Sequence, residues 1–228
     1  ADGQFTIDGS TGELSTTGGL DFETAASHVL TVTVTDGDGL SDTSTVTVTV
    51  NDVNDAPVAS GDVAATLEDI SVTVDVLGND SDVDGDVLSV TLEVGPVNGS
   101  VDINGDGSFV YMPAVDFNGE DSFTYAVTDG DLLDTAMVTI TVDPVNDAPV
   151  ASDAFFGIDE NQGVSVLGPV GATDIDAADT LTYSITAGDA DGQFTIDGST
   201  GELSTTGGLD FETAASHVLT VTVTDGDG

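Results

Sequence analysis

Residues 1–39 and 190–228 are identical, from Ala-Asp-Gly-Gln-Phe to Asp-Gly-Asp-Gly. Identity over that length means duplication of a long unit, here of 189 residues. A shorter period lies inside it. Asn54-Asp55-Ala56-Pro57-Val58 returns as Asn146-Asp147-Ala148-Pro149-Val150, 92 positions later. The long unit therefore holds two domains, of 92 and 97 residues. Domains of this size in tandem form an array in which each unit builds its own core. The expected boundaries are 1–56 for the second half of one domain, 57–148 for a complete domain, and 149–228 for a domain without its last segment. The segment it lacks corresponds to Leu40–Asp52 of the first copy. The sequence begins without Met and in mid-pattern, so it reads as an internal piece of a longer chain.

The local pattern is that of strands. In His28–Thr35, Leu30, Val32 and Val34 alternate with Thr31, Thr33 and Thr35, and Thr45–Val50 alternates likewise. A period of two puts one set on a buried face and the other in water. Turns rich in Asp and Gly separate the runs: Asp36-Gly37-Asp38-Gly39, Asp84-Gly85-Asp86 and Gly105-Asp106-Gly107. The middle domain offers strands near 63–66, 71–76, 87–94, 99–103, 108–112, 121–128 and 135–142. Seven short strands in about ninety residues predict an all-β, seven-stranded Greek-key β-sandwich, immunoglobulin-like in architecture. No segment carries sustained helical periodicity.

Charge narrows the function. The chain has 43 acidic residues, two histidines, and no lysine or arginine, for a formal net charge of −43. A nucleic-acid partner is excluded, because nothing can displace its counterions. A polybasic membrane anchor and an arginine or lysine phosphate clamp are excluded for the same reason. No cysteine means no disulfide, thiolate metal site or thiol nucleophile. No apolar run is long enough to span a bilayer, and there is no signal peptide. Of the acids, 35 are Asp and 8 are Glu, and Asp favours turns and short-range ligation over helices. Self-repulsion on this scale opposes a compact state unless something neutralises it. Divalent cations that prefer oxygen ligands, calcium above all, suit that need.

Several motifs then line up in order. Phe194-Thr195-Ile196-Asp197, Thr200-Gly201-Glu202-Leu203, Leu209-Asp210-Phe211-Glu212, Asp174-Ile175-Asp176, Glu160 and Thr224-Asp225 resemble the signature positions of a cadherin repeat. The first copy carries Leu20-Asp21-Phe22-Glu23 and Asp36, then a linker, Asp52-Val53-Asn54-Asp55, followed by Pro57. The middle domain differs. Asn79–Asp86, Asn98-Gly99-Ser100 and Asp121–Tyr125 resemble the cadherin-like repeats of large bacterial surface proteins. Such repeats accompany repeat-in-toxin or type I-secreted adhesins. On this resemblance, 1–56 is the C-terminal half of a cadherin repeat, 57–148 a complete bacterial cadherin-like domain, and 149–228 a cadherin repeat lacking its last strand.

The resemblance implies junctions that bind up to three calcium ions and become rigid. At the first junction it assigns Asp21, Glu23, Asp52, Asn54, Asp55, Asp82, Asp84 and Asp129 as ligands. At the second it assigns Glu68, Asp116, Asp143, Asn146, Asp147, Asp174, Asp176 and Asp225. It also marks Glu160, Asp210 and Glu212 of the third domain as ligands. Pro144 replaces the first linker Asp, with Asp143 adjacent. Ala56 and Ala148 replace a linker Asn, which does no harm if that position gives only its carbonyl. The middle domain lacks a clean Leu-Asp-x-Glu; Asp116 and Glu120 come nearest.

Competing readings have less behind them. Asp80, Asp82, Asp84 and Gly85 fit the start of an EF-hand loop, but the twelfth position is Thr91 and no helix flanks it. His28 and His217, with no Cys or second His beside them, read as surface strand residues. The Thr31/Thr33/Thr35 array, which an ice-binding face would use, reads as the wet side of a strand. Asn79-Asp80-Ser81 and Asn98-Gly99-Ser100 fit the glycosylation pattern, which means little in a bacterial protein. No catalytic triad is apparent, and Ser216 and His217 face opposite sides of a strand. The expectation is a non-enzymatic, extracellular, calcium-rigidified spacer of a secreted bacterial surface adhesin, contacting neighbouring repeats of its own polypeptide. The alternative is a homophilic or polysaccharide-binding, calcium-dependent adhesion module. Polysaccharide stacking needs exposed rings, whereas Tyr111, Tyr125 and Tyr183 sit at strand positions facing a core.

Overall fold

Alternating apolar and hydroxyl side chains are satisfied only by sheets with one face covered. A computed structural model describes residues 3–176 and 179–226, and its regular structure is strand apart from one short 3-10 turn. The chain divides into two units, 1–143 and 144–228.

The first unit begins with β1 (Phe5–Ile7), β2 (Leu14–Thr16), β3 (Ser27–Thr35) and β4 (Ser41–Thr49). β1 pairs with β2, and β3 with β4, both antiparallel. The β3–β4 register sets Leu30 opposite Val46 and Thr31 opposite Thr45, so like faces meet. The strands that follow are β5 (Asp62–Leu67), β6 (Val72–Val74), β7 (Ser89–Val94), β8 (Gly99–Ile103), β9 (Phe109–Pro113), β10 (Gly119–Thr128) and β11 (Leu133–Asp143). They correspond one for one to the seven runs expected between 63 and 142.

These seven strands form two sheets, in the orders β5-β11-β10-β7 and β6-β9-β8. β5 lies parallel to β11 and the other pairings are antiparallel. Between the sheets Phe109, Tyr111, Phe123, Tyr125, Val127, Val138 and Ile140 are fully buried. The Phe109 ring lies 5.2 Å from Phe123 and 5.9 Å from Tyr125, both tilted, an arrangement that suits aromatic quadrupoles. Asp121 is buried among them, yet it accepts hydrogen bonds from the N–H groups of Val97, Asn98 and Ser122 and from the Tyr111 hydroxyl. A buried carboxylate so bonded is tolerated without a cation.

The second unit contains β12 (Val150–Ala151), β13 (Val166–Pro169), β14 (Ala172–Thr173), β15 (Thr182–Ala187), β16 (Phe194–Ile196), β17 (Glu202–Thr205) and β18 (Thr220–Thr224). Its sheets are β12-β14, β13-β17-β16 and β15-β18. Phe194, Leu203, Thr205 and Val170 are buried. His217 stacks edge-on against Phe194 at 5.2 Å, and His28 against Phe5 at 5.1 Å. The histidines are therefore partly buried packing residues rather than free surface ones, because each ring finds an aromatic neighbour, Phe5 or Phe194.

Candidate metal centre

Two polar clusters of the same design occur, one in each unit. In the first, residues 82–86 wrap around a carboxylate: Asp82 Oδ1 accepts the N–H groups of Asp84 (2.9 Å), Gly85 (3.1 Å) and Asp86 (3.3 Å). Gly85 permits the wrap, with φ at +80°. Asp84 Oδ2 accepts the linker N–H of Asp55 at 2.7 Å. The side chain of Asn54 donates to Asp129 Oδ2 at 2.9 Å, while Asp129 Oδ1 accepts from Asp131 and Leu132.

The second cluster repeats this with other residues. Asp174 Oδ1 accepts the Asp176 N–H at 3.0 Å, Asp176 Oδ2 accepts the Asp147 N–H at 2.7 Å, and Asn146 donates to Asp225 Oδ2 at 3.0 Å. Each linker is thus fastened to the domain that follows it by an Asn amide and an Asp N–H.

These bonds leave oxygens over. Among the described residues, four buried side-chain polar atoms have no hydrogen-bond partner. Three are carboxylate oxygens of these clusters: Asp82 Oδ2, Asp84 Oδ1 and Asp174 Oδ2. The fourth is His28 Nε2, beside Phe5. A buried, unpaired carboxylate oxygen costs far more than a solvated one unless a cation meets it.

Among the described residues, carboxylate oxygens also converge within 4.8 Å of one another in four groups: Glu23, Asp55 and Asp84; Asp82, Asp84 and Asp86; Asp174, Asp176 and Asp179; Glu160, Asp210 and Glu212. The first brings the Asp21–Glu23 turn of the half-domain onto the linker and the middle domain. The repulsion registers in proton affinity. Asp86 is raised by burial and by the carboxylates of Asp82, Asp84, Asp129 and Asp131. Glu23 is raised although a backbone N–H bond opposes it, because Asp21 and Asp84 prevail. Asp129 is lowered by the Leu132 N–H and the Asn54 amide, Asp21 by the Thr24 hydroxyl, and Asp210 by the Thr213 hydroxyl. Oxygen-only groups of this sort can hold a hard divalent cation.

Other expected ligands are placed differently. Asp52 is exposed and joins none of these groups. Glu68 is buried, accepts from the Asn118 amide at 3.5 Å, and pairs through its backbone N–H with the Asp143 carbonyl. The Asp116 N–H donates to Asp69 Oδ1, and both residues adopt positive φ. Glu68, Asp116 and Asp143 therefore do not form a three-carboxylate group among the described residues. Asn118 stands where Leu-Asp-Phe-Glu has its glutamate, so Val115-Asp116-Phe117-Asn118 is the corresponding motif and Glu120, exposed on β10, is not. The shared Asp-Phe pair was the sequence signal. Asp86 and Asp179 join the carboxylate groups although the motifs did not mark them as candidate ligands.

Comparison with known proteins agrees with the architecture. The Cadherin domain family matches residues 1–51 and 154–228, and the Bacterial Ig domain family matches 54–141. Human Protocadherin-23 is 35% identical over 97% of this chain, human Protocadherin Fat 1 is 30% identical over 98%, and mouse Cadherin-23 is 33% identical over 99%. The chain spans only 5–7% of the length of these relatives. Among solved structures, mouse Cadherin-23 EC22-24 aligns with a TM-score of 0.70 at 23% identity, covering 98% of this chain and 77% of that one. The Protocadherin GammaB4 extracellular domain aligns at 0.67 with 26% identity, covering 96% of this chain and 38% of that one.

Proposed function

Because the chain belongs to the cadherin family, we propose that it is a calcium-stiffened extender segment of an extracellular adhesion protein. Cadherin domains bind calcium, and the observation that carries the reading here is the set of buried, partnerless oxygens on Asp82, Asp84 and Asp174. Glu23, Asp55, Asp82, Asp84 and Asp86 would hold calcium at one cluster, and Asp174, Asp176 and Asp179 at the other. Glu160, Asp210 and Glu212 would form a further site. Bound calcium would supply the positive charge that a sequence without lysine or arginine cannot. The chain's own part is orientation. Asn54 and Asn146 pin the linkers through their amides, and the Asp55 and Asp147 N–H groups hold Asp84 and Asp176, while Asp84 Oδ1 and Asp174 Oδ2 stay buried without a partner.

The bacterial Ig match at 54–141 supports a bacterial surface protein as the setting, with domains at 1–56, 57–148 and 149–228. Millimolar extracellular calcium suits sites with dissociation constants of roughly 10⁻⁴–10⁻³ M. The role is mechanical rather than catalytic. Small-angle scattering tests it: with calcium chelated, the maximum dimension should change while the strand circular dichroism signal largely persists. An unchanged dimension refutes the reading.

A second reading, calcium-dependent contact between copies, is favoured by one observation. The outer side of the four-stranded sheet exposes Val63 (85%), Leu133 (63%) and Met137 (53%) among uncharged threonines. Sedimentation with and without calcium separates the two, since an extender stays monomeric. The polysaccharide alternative loses ground, because Tyr111 and Tyr125 are fully buried and Tyr183 is half-buried.

A further inference from the structure

Three Asn-Gly pairs lie in the middle domain, at Asn98-Gly99, Asn104-Gly105 and Asn118-Gly119. Asn-Gly is the dipeptide most prone to spontaneous loss of side-chain ammonia, since a glycine nitrogen approaches the preceding amide carbon without hindrance from a Cβ. Folding sorts the three by how freely that approach can occur.

Asn98 is held on both sides. Its N–H donates to Asp121 Oδ2 at 2.8 Å and its carbonyl accepts the Ala114 N–H at 2.8 Å. Gly99 is pressed so closely on β9 that a Cβ there would stand 2.5 Å from the Met112 carbonyl oxygen and 2.7 Å from the Tyr111 ring. Asn118 is tied through its amide to Glu68, whose carboxylate disfavours an amide anion nearby, and Gly119 opens β10 paired to Val142.

Asn104 differs. It begins the exposed turn between β8 and β9, closed by the Gly107 N–H on the Asn104 carbonyl at 3.1 Å. Gly105 follows at the tip, exposed, with open space where a Cβ would stand and no hydrogen bond on its N–H. Asn104 is itself anchored by its N–H on the Ser108 carbonyl at 2.8 Å, but the turn leaves the attacking Gly105 nitrogen unoccupied and in open space.

We propose that Asn104 is a spontaneous modification site of the folded chain, converting to aspartate and isoaspartate with Gly105 as the internal nucleophile. The Gly105 nitrogen bonds to Asn104 Cγ as the Cγ–Nδ2 bond breaks. The former amide proton of Gly105 leaves with the –NH2 group as ammonia, closing a succinimide. One water then opens the ring at either carbonyl, giving aspartate, or isoaspartate with the main chain routed through Cβ. Either product removes the bond from the Asn104 amide to Ser108 Oγ (2.9 Å) and adds a carboxylate beside Asp106. Isoaspartate also adds a backbone methylene to a hairpin whose next residue but one after Gly107 is the fully buried Phe109. The change accumulates with the age of the molecule and requires no enzyme.

The test incubates the 228-residue chain with calcium at mildly alkaline pH, beside a sample in urea. Without lysine or arginine the chain resists trypsin, so pepsin at low pH provides the peptides for mass spectrometry. In the folded sample Asn104 should convert about tenfold faster than Asn98 or Asn118, and in urea the three should react within about twofold of one another. Gly105→Ala, which the open site admits, should slow conversion at Asn104 by about tenfold while leaving the circular dichroism spectrum unchanged. The proposal is overturned if Asn104 reacts no faster than the other two in the folded chain, if its lead persists in urea, or if Gly105→Ala leaves its rate unchanged.

Discussion

Asp174 and Asp197 are both turn aspartates, but their carboxylates are occupied differently. Asp197 Oδ1 accepts the N–H groups of Ser199 and Thr200, each at 2.9 Å, and nothing is buried without a partner. Asp174 keeps Oδ2 buried and partnerless. Asp174→Ala should therefore remove calcium stoichiometry in a calorimetric titration, and Asp197→Ala should leave it intact. Equal losses would refute this site map. A second residue-scale prediction concerns Asp62. The Tyr125 hydroxyl lies 3.0 Å from the Ser60 carbonyl, 3.1 Å from both oxygens of Asp80, and 3.3 Å from Asp62 Oδ2. One proton cannot serve all of these acceptors. Asp62 is raised above its ordinary 3.8, by burial first and then, against the Tyr125 bond, by the charge of Asp80. The folded state thus binds the Asp62 proton more tightly than the unfolded state. Its stabilising effect is complete below 3.8 and is lost as pH rises through the raised value. Asp62→Asn should make the urea unfolding free energy fall less steeply with pH over that interval. Parallel curves for the two proteins would count against it.

Among the elements, the seven strands between 62 and 143 were legible in the sequence because each is bounded by turn residues and alternates cleanly. Their pairing was not. The bulge opposite Thr124 and Tyr125 and the parallel β5–β11 pair depend on contacts between distant segments. Close approach is likewise invisible in sequence, since Gly99 and Gly105 look alike there. Gly99→Ala must displace the Met112 carbonyl or the Tyr111 ring and should cost about 1–3 kcal/mol of unfolding free energy by denaturant titration. Gly105→Ala should cost well under that, since nothing stands within 4 Å of the new methyl group. Similar midpoints for both variants would show that the hairpin yields more readily than its packing implies.

At the scale of the whole molecule, charge dominates. With a net charge of −43 and no lysine or arginine, self-repulsion opposes every folded state of the chain. Calcium at the proposed sites would relieve it locally, whereas salt would only screen it. With free calcium at about a hundred times the dissociation constant, each independent site adds roughly 2.7 kcal/mol. Thermal unfolding followed by calorimetry should shift downward on chelation, and sodium chloride should restore only part of the loss. Full restoration by salt would mean that screening alone sustains the fold and that the clusters do not bind calcium specifically.

The sequence by itself determined the strand content, the repeat lengths and most of the candidate ligand types, because these follow from local periodicity and from the absence of lysine and arginine. The two identical copies show what it left undecided. Phe194, Leu203 and Thr205 are buried, whereas Phe5 and Leu14 are only half-buried and Thr16 is exposed, although each stands in the same sequence. In the second unit β17 pairs with β13 and the Val170 N–H bonds to the Gly201 carbonyl, and these neighbours come from 150–189. Burial is a property of what packs against a side chain, and that partner lies outside the repeated residues. The same holds for the candidate ligands. Motif spacing identified Asp82, Asp84 and Asp174, but only the folded loops, by using one oxygen of each in a backbone hydrogen bond, left the other buried and in need of a cation.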